Sequence, residues 1–353
     1  MPSKIKILTI VGARPQFIKA AVLSRLIQKN DDISEVLVHT GQHFDDSMSE
    51  VFFKEMEIPK PAYNLEINGL KHGAMTGRML EKIEEVLLKE KPDMVLVYGD
   101  TNSTLAGALA AQKIHIPIVH VEAGLRSFDM MMPEEVNRII TDRISKVLFA
   151  PTYGAIKNLK NEGFDNFNCK IILSGDVMQD AAMYYADKSE SKANLPTDIP
   201  NRFILCTLHR AENTDNPKRL KNIVESINQI NKEIPVVMPL HPRTKKKLQS
   251  FGMRLNVYLM EPVGYFEMIE LLKRCSLVMT DSGGLQKEAY FFKKPCVTLR
   301  DQTEWTELVD NGFNKIAGAD TTTILNAFNE MINLRIDFSK QLYGNGKAGE
   351  KII

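Results

Sequence analysis

The chain has 353 residues, 44% of them hydrophobic and 25% charged, with a net charge of +1. That is enough for two domains of ordinary size, and the near-neutral balance excludes a bulk electrostatic pull toward nucleic acid or an anionic membrane. No apolar run reaches the roughly 20 residues of a membrane helix, and the four cysteines, Cys169, Cys206, Cys275 and Cys296, form no CxxC pair for zinc or redox chemistry.

The sparse thiols and an N-terminus that runs straight into a strand predict a cytoplasmic protein without a leader. In chain order, strands are predicted at 5–11, 36–39, 94–98, 118–121, 147–150 and 171–174, with helices at 17–28, 75–88, 104–112 and 135–144 between them. Short β-rich runs alternating with helical patterns are the sequence form of βαβ units and a parallel sheet. The polar stretch 187–201, with Pro196 and Pro200, reads as a loop or linker. Strands resume at 203–207, 236–240, 257–259, 277–280 and 296–299, and a helix at 285–292. The fold class is therefore α/β: two Rossmann-like, doubly wound parallel-sheet domains, expected at 1–175 and 176–335. Ligands of such sheets bind beyond the carboxyl ends of the strands, here expected in a cleft between the domains.

The polar clusters fall at those strand ends. Ser282, Gly283 and Gly284 sit where a strand turns into a helix, and free N–H groups with close backbone approach there suit a phosphate. An ordinary turn with a Ser N-cap fits the same residues. Arg14 and Lys19 follow the first strand, Asp100 the strand at 94–98, and Glu122 with Arg126 the next. Glu134, Glu135 and Arg138 open a helix after Pro133, while His209 and, further on, His241 with Arg243 end strands of the second half. Singly, Asp100 could cap a helix, Glu134 and Glu135 could complement a dipole, and His209 could be structural. Glu122 is harder to dismiss, because a carboxylate ending an apolar strand needs a partner or a task. Their joint placement at strand ends is the functional signal. GxxxxGK[ST], HExxH and GxSxG are all absent, which removes the P-loop, zinc-protease and serine-hydrolase readings.

These motifs resemble the non-hydrolysing UDP-N-acetylglucosamine 2-epimerases over nearly the whole chain. The resemblance rests on Gly12-Ala13-Arg14-Pro15 with Lys19, Thr40-Gly41-Gln42-His43, Gly99-Asp100-Thr101 and His120-Val121-Glu122-Ala123-Gly124-Leu125-Arg126. It continues through Pro133-Glu134-Glu135, His209-Arg210, Asp281-Ser282-Gly283-Gly284 with Gln286 and Glu288, and Tyr343-Gly344-Asn345-Gly346. It implies a glycosyltransferase-B type architecture, with the tail 336–353 packing back on the N-terminal domain, and a homodimer. It also implies C2 epimerisation of a UDP-2-acetamido sugar without cofactor or metal, by elimination of UDP to a 2-acetamidoglucal and re-addition.

Position by position, Asp100, Glu122, Glu134 and His209 match the family's catalytic residues, His209 near the leaving diphosphate and protonated there. Arg14, Ser282, Gly283 and Gly284 match diphosphate-binding positions, and Glu288 the residue taking the ribose hydroxyls. Lys19, Gln42, His43, Arg126, Arg138, His241 and Arg243 complete the expected binding set. The loop 127–133 is about two residues shorter than in the best-known bacterial members, and Gln16-Phe17 stands where those carry Glu-Ala. Both features resemble archaeal members and a sister branch acting on UDP-2,3-diacetamido-2,3-dideoxyglucuronate, whose C6 carboxylate would want a cation such as Arg126, Arg138 or His43. Plain UDP-GlcNAc is placed slightly ahead. The family's Gln-His-Arg motif reads Gln42-His43-Phe44 here, which counts against allosteric activation by a second UDP-GlcNAc.

Overall fold

The structure, a computed structural model, describes residues 4–42 and 57–353. The chain divides into two compact units, Met1–Ala181 with Leu342–Ile353, and Ala182–Gln341.

The first unit is built on a seven-stranded parallel sheet of order β3-β2-β1-β4-β5-β6-β7. Its strands are β1 (Ile5–Val11), β2 (Ile33–His39), β3 (Tyr63–Asn64), β4 (Met94–Tyr98), β5 (Ile118–Val121), β6 (Val147–Ala150) and β7 (Lys170–Leu173). Its helices include α1 (Arg14–Gln28), α2 (His72–Glu90), α3 (Asn102–Lys113), α4 (Pro133–Ile144) and α5 (Tyr153–Asn161). Order reverses between β1 and β4, so the chain turns above these two strands diverge and leave a crevice for a ligand. Leu8, Ile10, Val95, Val97 and Ile118 from the strands pack against Met79, Ile83 and Leu87 of α2 and against the alanines of α3. Small side chains on α3 let that helix lie close to the sheet: a methyl on Gly107 would stand 2.5 Å from Ile10 Cδ1.

The second unit repeats the plan with six parallel strands in the order β10-β9-β8-β11-β12-β13. These are β8 (Ile204–Thr207), β9 (Val236–Pro239), β10 (Tyr258–Met260), β11 (Leu277–Thr280), β12 (Cys296–Thr298) and β13 (Asn314–Ile316). The reversal falls between β8 and β11, whose residues are all buried, as expected for a sheet covered on both faces.

Several expectations need correction. The stretch 187–201 is not all linker: α6 (Val177–Lys192) runs into it, because Ser189 is buried and its hydroxyl donates to Glu270 at 2.5 Å. Irregular chain begins only after Lys192, ahead of Pro196. The two-residue β3 and the polar β13 were not predicted. The return to the first unit comes at Leu342, later than 336. Within that unit the tail is held by Asp176 N donating to Tyr343 O at 2.9 Å, and by Ala348 N and Gly349 N donating to the Asp180 carboxylate at 3.1 and 2.8 Å. Gly349 lies tight on α1, where a methyl would stand 2.8 Å from both Val22 and Leu26.

Candidate active site

In the first unit, Gly99 and Asp100 follow β4, Glu122 follows β5, and Glu134 sits in the first turn of α4. Glu122 has φ +73, a left-handed conformation that a non-glycine residue adopts at a cost of roughly 1–3 kcal/mol and that clusters at functional sites. The strain turns its nearly buried carboxylate onto the Lys19 ammonium, with which it forms a close ion pair. Gly99, φ +60, makes room for that pair: a methyl there would stand 3.1 Å from Glu122 Oε2 and 3.3 Å from Lys19 Nζ. Lys19, expected as a ligand for substrate, is thus first of all the counter-ion of Glu122.

Asp100 accepts from Arg138 Nε at 2.9 Å and keeps 35% of its side-chain surface open. Desolvation by the surrounding protein pushes its carboxyl above the usual aspartate range, Glu122 adds to the rise, and Arg138 and Lys19 oppose it. The same Arg138 pairs with Glu135. Glu135 is buried and caps the start of the neighbouring loop, accepting from Ser127 N and Phe128 N at 3.0 Å each. That is more than complementing a helix dipole. Glu134 is half-buried beside it. Gln42 turns its amide oxygen to Ser103, accepting from N at 3.0 Å and from Oγ at 2.7 Å.

Two expectations change here. Arg126 was expected to meet substrate, but its side chain is 1% exposed and fully engaged. It donates to Asp142 Oδ2 at 2.7 Å and to Glu162 at 2.6 and 2.8 Å, internal ion pairs rather than an open cation. Gln16, flagged as a departure, is a buried internal brace: its Oε1 accepts from Gly12 N at 2.8 Å and its Nε2 donates to Tyr98 O at 2.9 Å. Arg14 opens α1, but its side chain lies outside the described residues, as does His43.

In the second unit the corresponding strand ends carry His209 after β8 and Asp281-Ser282-Gly283-Gly284 after β11. The fully buried Asp281 organises both: it accepts from His209 N at 3.1 Å, Arg210 N at 2.9 Å and Asn213 Nδ2 at 3.3 Å. The His209 imidazole lies with Nδ1 3.5 Å from Asp281 Oδ1. Desolvation lowers its pKa below that of ordinary histidine, with Arg210 and His241 adding to the fall and Asp281 opposing it. In the free protein the ring therefore favours its neutral form. His241 caps α9 (Pro242–Ser250) and stacks 5.5 Å from the His209 ring, tilted by 34°. Arg243 is already committed to Thr214 at 3.1 Å and to Asp215.

Ser282 is the N-cap of α11 (Gly283–Phe291), yet its side chain makes no capping hydrogen bond. The first N–H groups of this helix thus lack a side-chain cap and suit an anion. Gly283 is packed, its carbonyl accepting from Trp305 Nε1 at 2.9 Å and its missing Cβ facing Glu304 Oε1 at 2.2 Å. Gly284 faces open space. Glu288, on the same helix, is nearly buried. Asp142, Glu162, Glu304 and Arg300 take part in these clusters and were not anticipated. For Asp142 a signal existed, since Glu135, Arg138 and Asp142 recur at i, i+3 and i+7 on the buried face of α4, where apolar residues are the norm. A cavity of about 460 Å³ opens at the amino ends of β5, β6 and β7, and none of the expected site residues lines it. Among the described residues no cluster of three or more His, Cys, Asp or Glu could hold a metal, and no helix is long and apolar enough to cross a membrane.

Fold and clusters together define a Rossmann-type α/β protein with carboxylates at one switch point and a glycine turn without a side-chain cap at the other. The model of the UDP-N-acetylglucosamine 2-epimerase family matches residues 25–353, and the chain belongs to that family. It is 58% identical to the UDP-2,3-diacetamido-2,3-dideoxy-D-glucuronate 2-epimerase of Pseudomonas aeruginosa, over 99% of this chain and 98% of that one. Among solved structures it is similar to the UDP-GlcNAc 2-epimerase of Methanocaldococcus jannaschii in complex with UDP-GlcNAc and UDP, at 44% identity, TM-score 0.90 and 98% of each chain. The Neisseria meningitidis enzyme bound to UDP-GlcNAc is similar at 32% identity, TM-score 0.86 and again 98% of each chain.

Proposed function

We propose that this protein inverts C2 of a UDP-2-acetamido sugar without hydrolysing it. The observation that carries the reading is the Asp100, Glu122–Lys19 and Arg138 cluster at the carboxyl ends of β4 and β5, in a chain of the epimerase family.

C2–H of such a sugar is not acidic, since no carbonyl adjoins it. A carboxylate base takes the C2 proton as the C1–O bond breaks, leaving a C1=C2 double bond and free UDP. Re-addition returns the diphosphate oxygen to C1 and a proton to the opposite face of C2. Two carboxyl groups of unlike proton affinity suit the two faces. Glu122 is ion-paired with Lys19. Asp100 has its pKa raised by desolvation, which favours its protonated form more than an ordinary aspartate does, and suits a proton donor. Glu134 completes the set. Departing diphosphate is received by the α11 N-terminus at Ser282–Gly284, with His209 taking up a proton as negative charge builds. Arg14 binds the same diphosphate and Glu288 the ribose. The enzyme acts as a cytoplasmic homodimer and needs no cofactor.

Two sugars fit the chemistry. UDP-GlcNAc is the substrate of the M. jannaschii and N. meningitidis relatives by name. The 58% identity to the diacetamido-glucuronate epimerase, against 44% and 34% for those two, favours the uronate and reverses the small margin drawn from sequence. Arg126 is spent on Asp142 and Glu162, whereas Arg138 is paired with the candidate carboxylate Asp100 itself, so Arg138 and His43 are the cations proposed for the uronate's C6 carboxylate. Parallel kcat/KM measurements on the two UDP-sugars decide: a preference for the uronate of tenfold or more, about 1.4 kcal/mol, is expected, and turnover of UDP-GlcNAc alone overturns that assignment.

A further inference from the structure

We propose that His120 is a positioning residue: a doubly protonated imidazolium clamped between the Asp142 carboxylate and the Gly99 carbonyl, which fixes the peptide that aims Asp100. The ring is fully buried on β5. Its Nδ1 lies 2.7 Å from Asp142 Oδ1 and its Nε2 2.8 Å from Gly99 O. A backbone carbonyl can only accept. Asp142 also only accepts, because its other oxygen is ion-paired with the Arg126 guanidinium and takes the Gly124 N–H, which hold it as a carboxylate. With acceptors at both ring nitrogens, both must carry hydrogen, which is the imidazolium.

The surrounding charge supports that state. Asp142 Oδ2 accepts from Arg126 Nη1 at 2.7 Å and Gly124 N at 3.1 Å, and Arg126 is bound in turn to Glu162. Two cations and two anions balance within one network, as a buried charge requires. The titratable groups around the ring are Asp142 on α4, Arg126 beyond it and, through the Gly99 peptide, Asp100, Glu122 and Lys19.

The Gly99 peptide is the hinge of the candidate site. Its φ of +60 has no side-chain packing to hold it, its N donates to Val121 O at 2.9 Å, and its carbonyl is held by His120. The next residue is Asp100, whose own carbonyl accepts from Asn137 Nδ2 at 2.8 Å. One imidazolium therefore ties together β4, β5 and α4, the elements that carry Asp100, Glu122 and Glu134.

The test compares two isosteres. In His120→Gln the amide nitrogen falls near Nε2 and can still donate to Gly99. In His120→Asn it falls near Nδ1 and can reach only Asp142. We expect His120→Asn to lower kcat by about 100-fold, the scale of an ångström misplacement, with KM and UDP affinity unchanged, and His120→Gln to recover most of the loss. Equal losses in the two variants, or loss of UDP affinity together with kcat, overturn the positioning role. If His120→Asn does not fold, 15N–1H spectra of the wild-type histidines decide: both His120 ring nitrogens should carry hydrogen, one directed at each acceptor. A neutral ring refutes the clamp. The kinetic arm rests on the epimerase reading above, whereas the spectra need no substrate. Wild-type inactivity on both sugars would therefore fail that reading and leave the imidazolium to be judged alone.

Discussion

Gly284 offers the cleanest separation of fold from function. A Cβ added there meets nothing within 4 Å, and the residue stands in the first turn of a helix with ordinary backbone. The folded state therefore accepts Gly284→Ala without strain, and restricting the unfolded chain stabilises the protein by about 0.4–1 kcal/mol. That corresponds to a rise of roughly 0.5–1.5 °C in Tm for a chain of this size. If the open space over Gly284 is where a diphosphate oxygen approaches the helix N–H groups, the new methyl holds it off. Losing one hydrogen bond to a charged group costs about 1.5–3 kcal/mol, or roughly a 10- to 100-fold weaker UDP Kd. Gly283→Ala is the contrasting case. Its Cβ would stand 2.2 Å from Glu304 Oε1, and Arg300 Nη1 holds that carboxylate at 2.8 Å, so overpacking costs about 1–3 kcal/mol of stability. Thermal unfolding and UDP titration calorimetry on the two variants read both effects. A Gly284→Ala protein that is more stable and binds UDP as tightly as wild type refutes the cradle.

The remaining predictions concern the charged groups. Asp100→Asn and Glu122→Gln abolish turnover while UDP titrations remain near wild type; lost UDP affinity would put these residues in the wrong role. Lys19→Met leaves the Glu122 carboxylate buried without its counter-ion, which costs about 3–5 kcal/mol in chemical denaturation; a loss under 1 kcal/mol would show the pair to be solvated. His209 has a lowered pKa in the free protein, and a diphosphate bound beside it is expected to raise it. UDP binding then takes up a proton, so affinity falls as pH rises between the free and bound pKa values and levels off on either side. Calorimetry in buffers of different ionisation enthalpy should detect that proton in wild type and not in His209→Asn; equal uptake in both assigns it elsewhere.

Most of the sheet was legible because parallel strands covered on both faces read as apolar runs, as Met94–Tyr98 and Leu277–Thr280 do. β3 escaped because two residues carry no period, and β13 because Asn314 and Lys315 break the apolar pattern while Asn314 is anchored through its side chain to Gln286 at 2.9 Å. The prolines at 196 and 200 pulled the predicted linker forward over the last turns of α6, whose polar residues could equally be helical. At the site, strand-end placement brought Asp100 and Glu122 into view. What each side chain is spent on could not be read. Arg126 and Arg138 look alike as isolated letters, yet one is consumed by Asp142 and Glu162 while the other reaches Asp100. Those partners lie 16, 36 and 38 residues away in the chain, and only the fold makes them neighbours.

The central claim is tested most directly by proton NMR of the protein with each UDP-sugar in D₂O. The account predicts the C2 epimer, still joined to UDP, with deuterium at C2 and with deuterium entering the remaining substrate as re-addition runs backward. Free sugar released in step with UDP, or epimer that keeps its original C2 hydrogen, would contradict it.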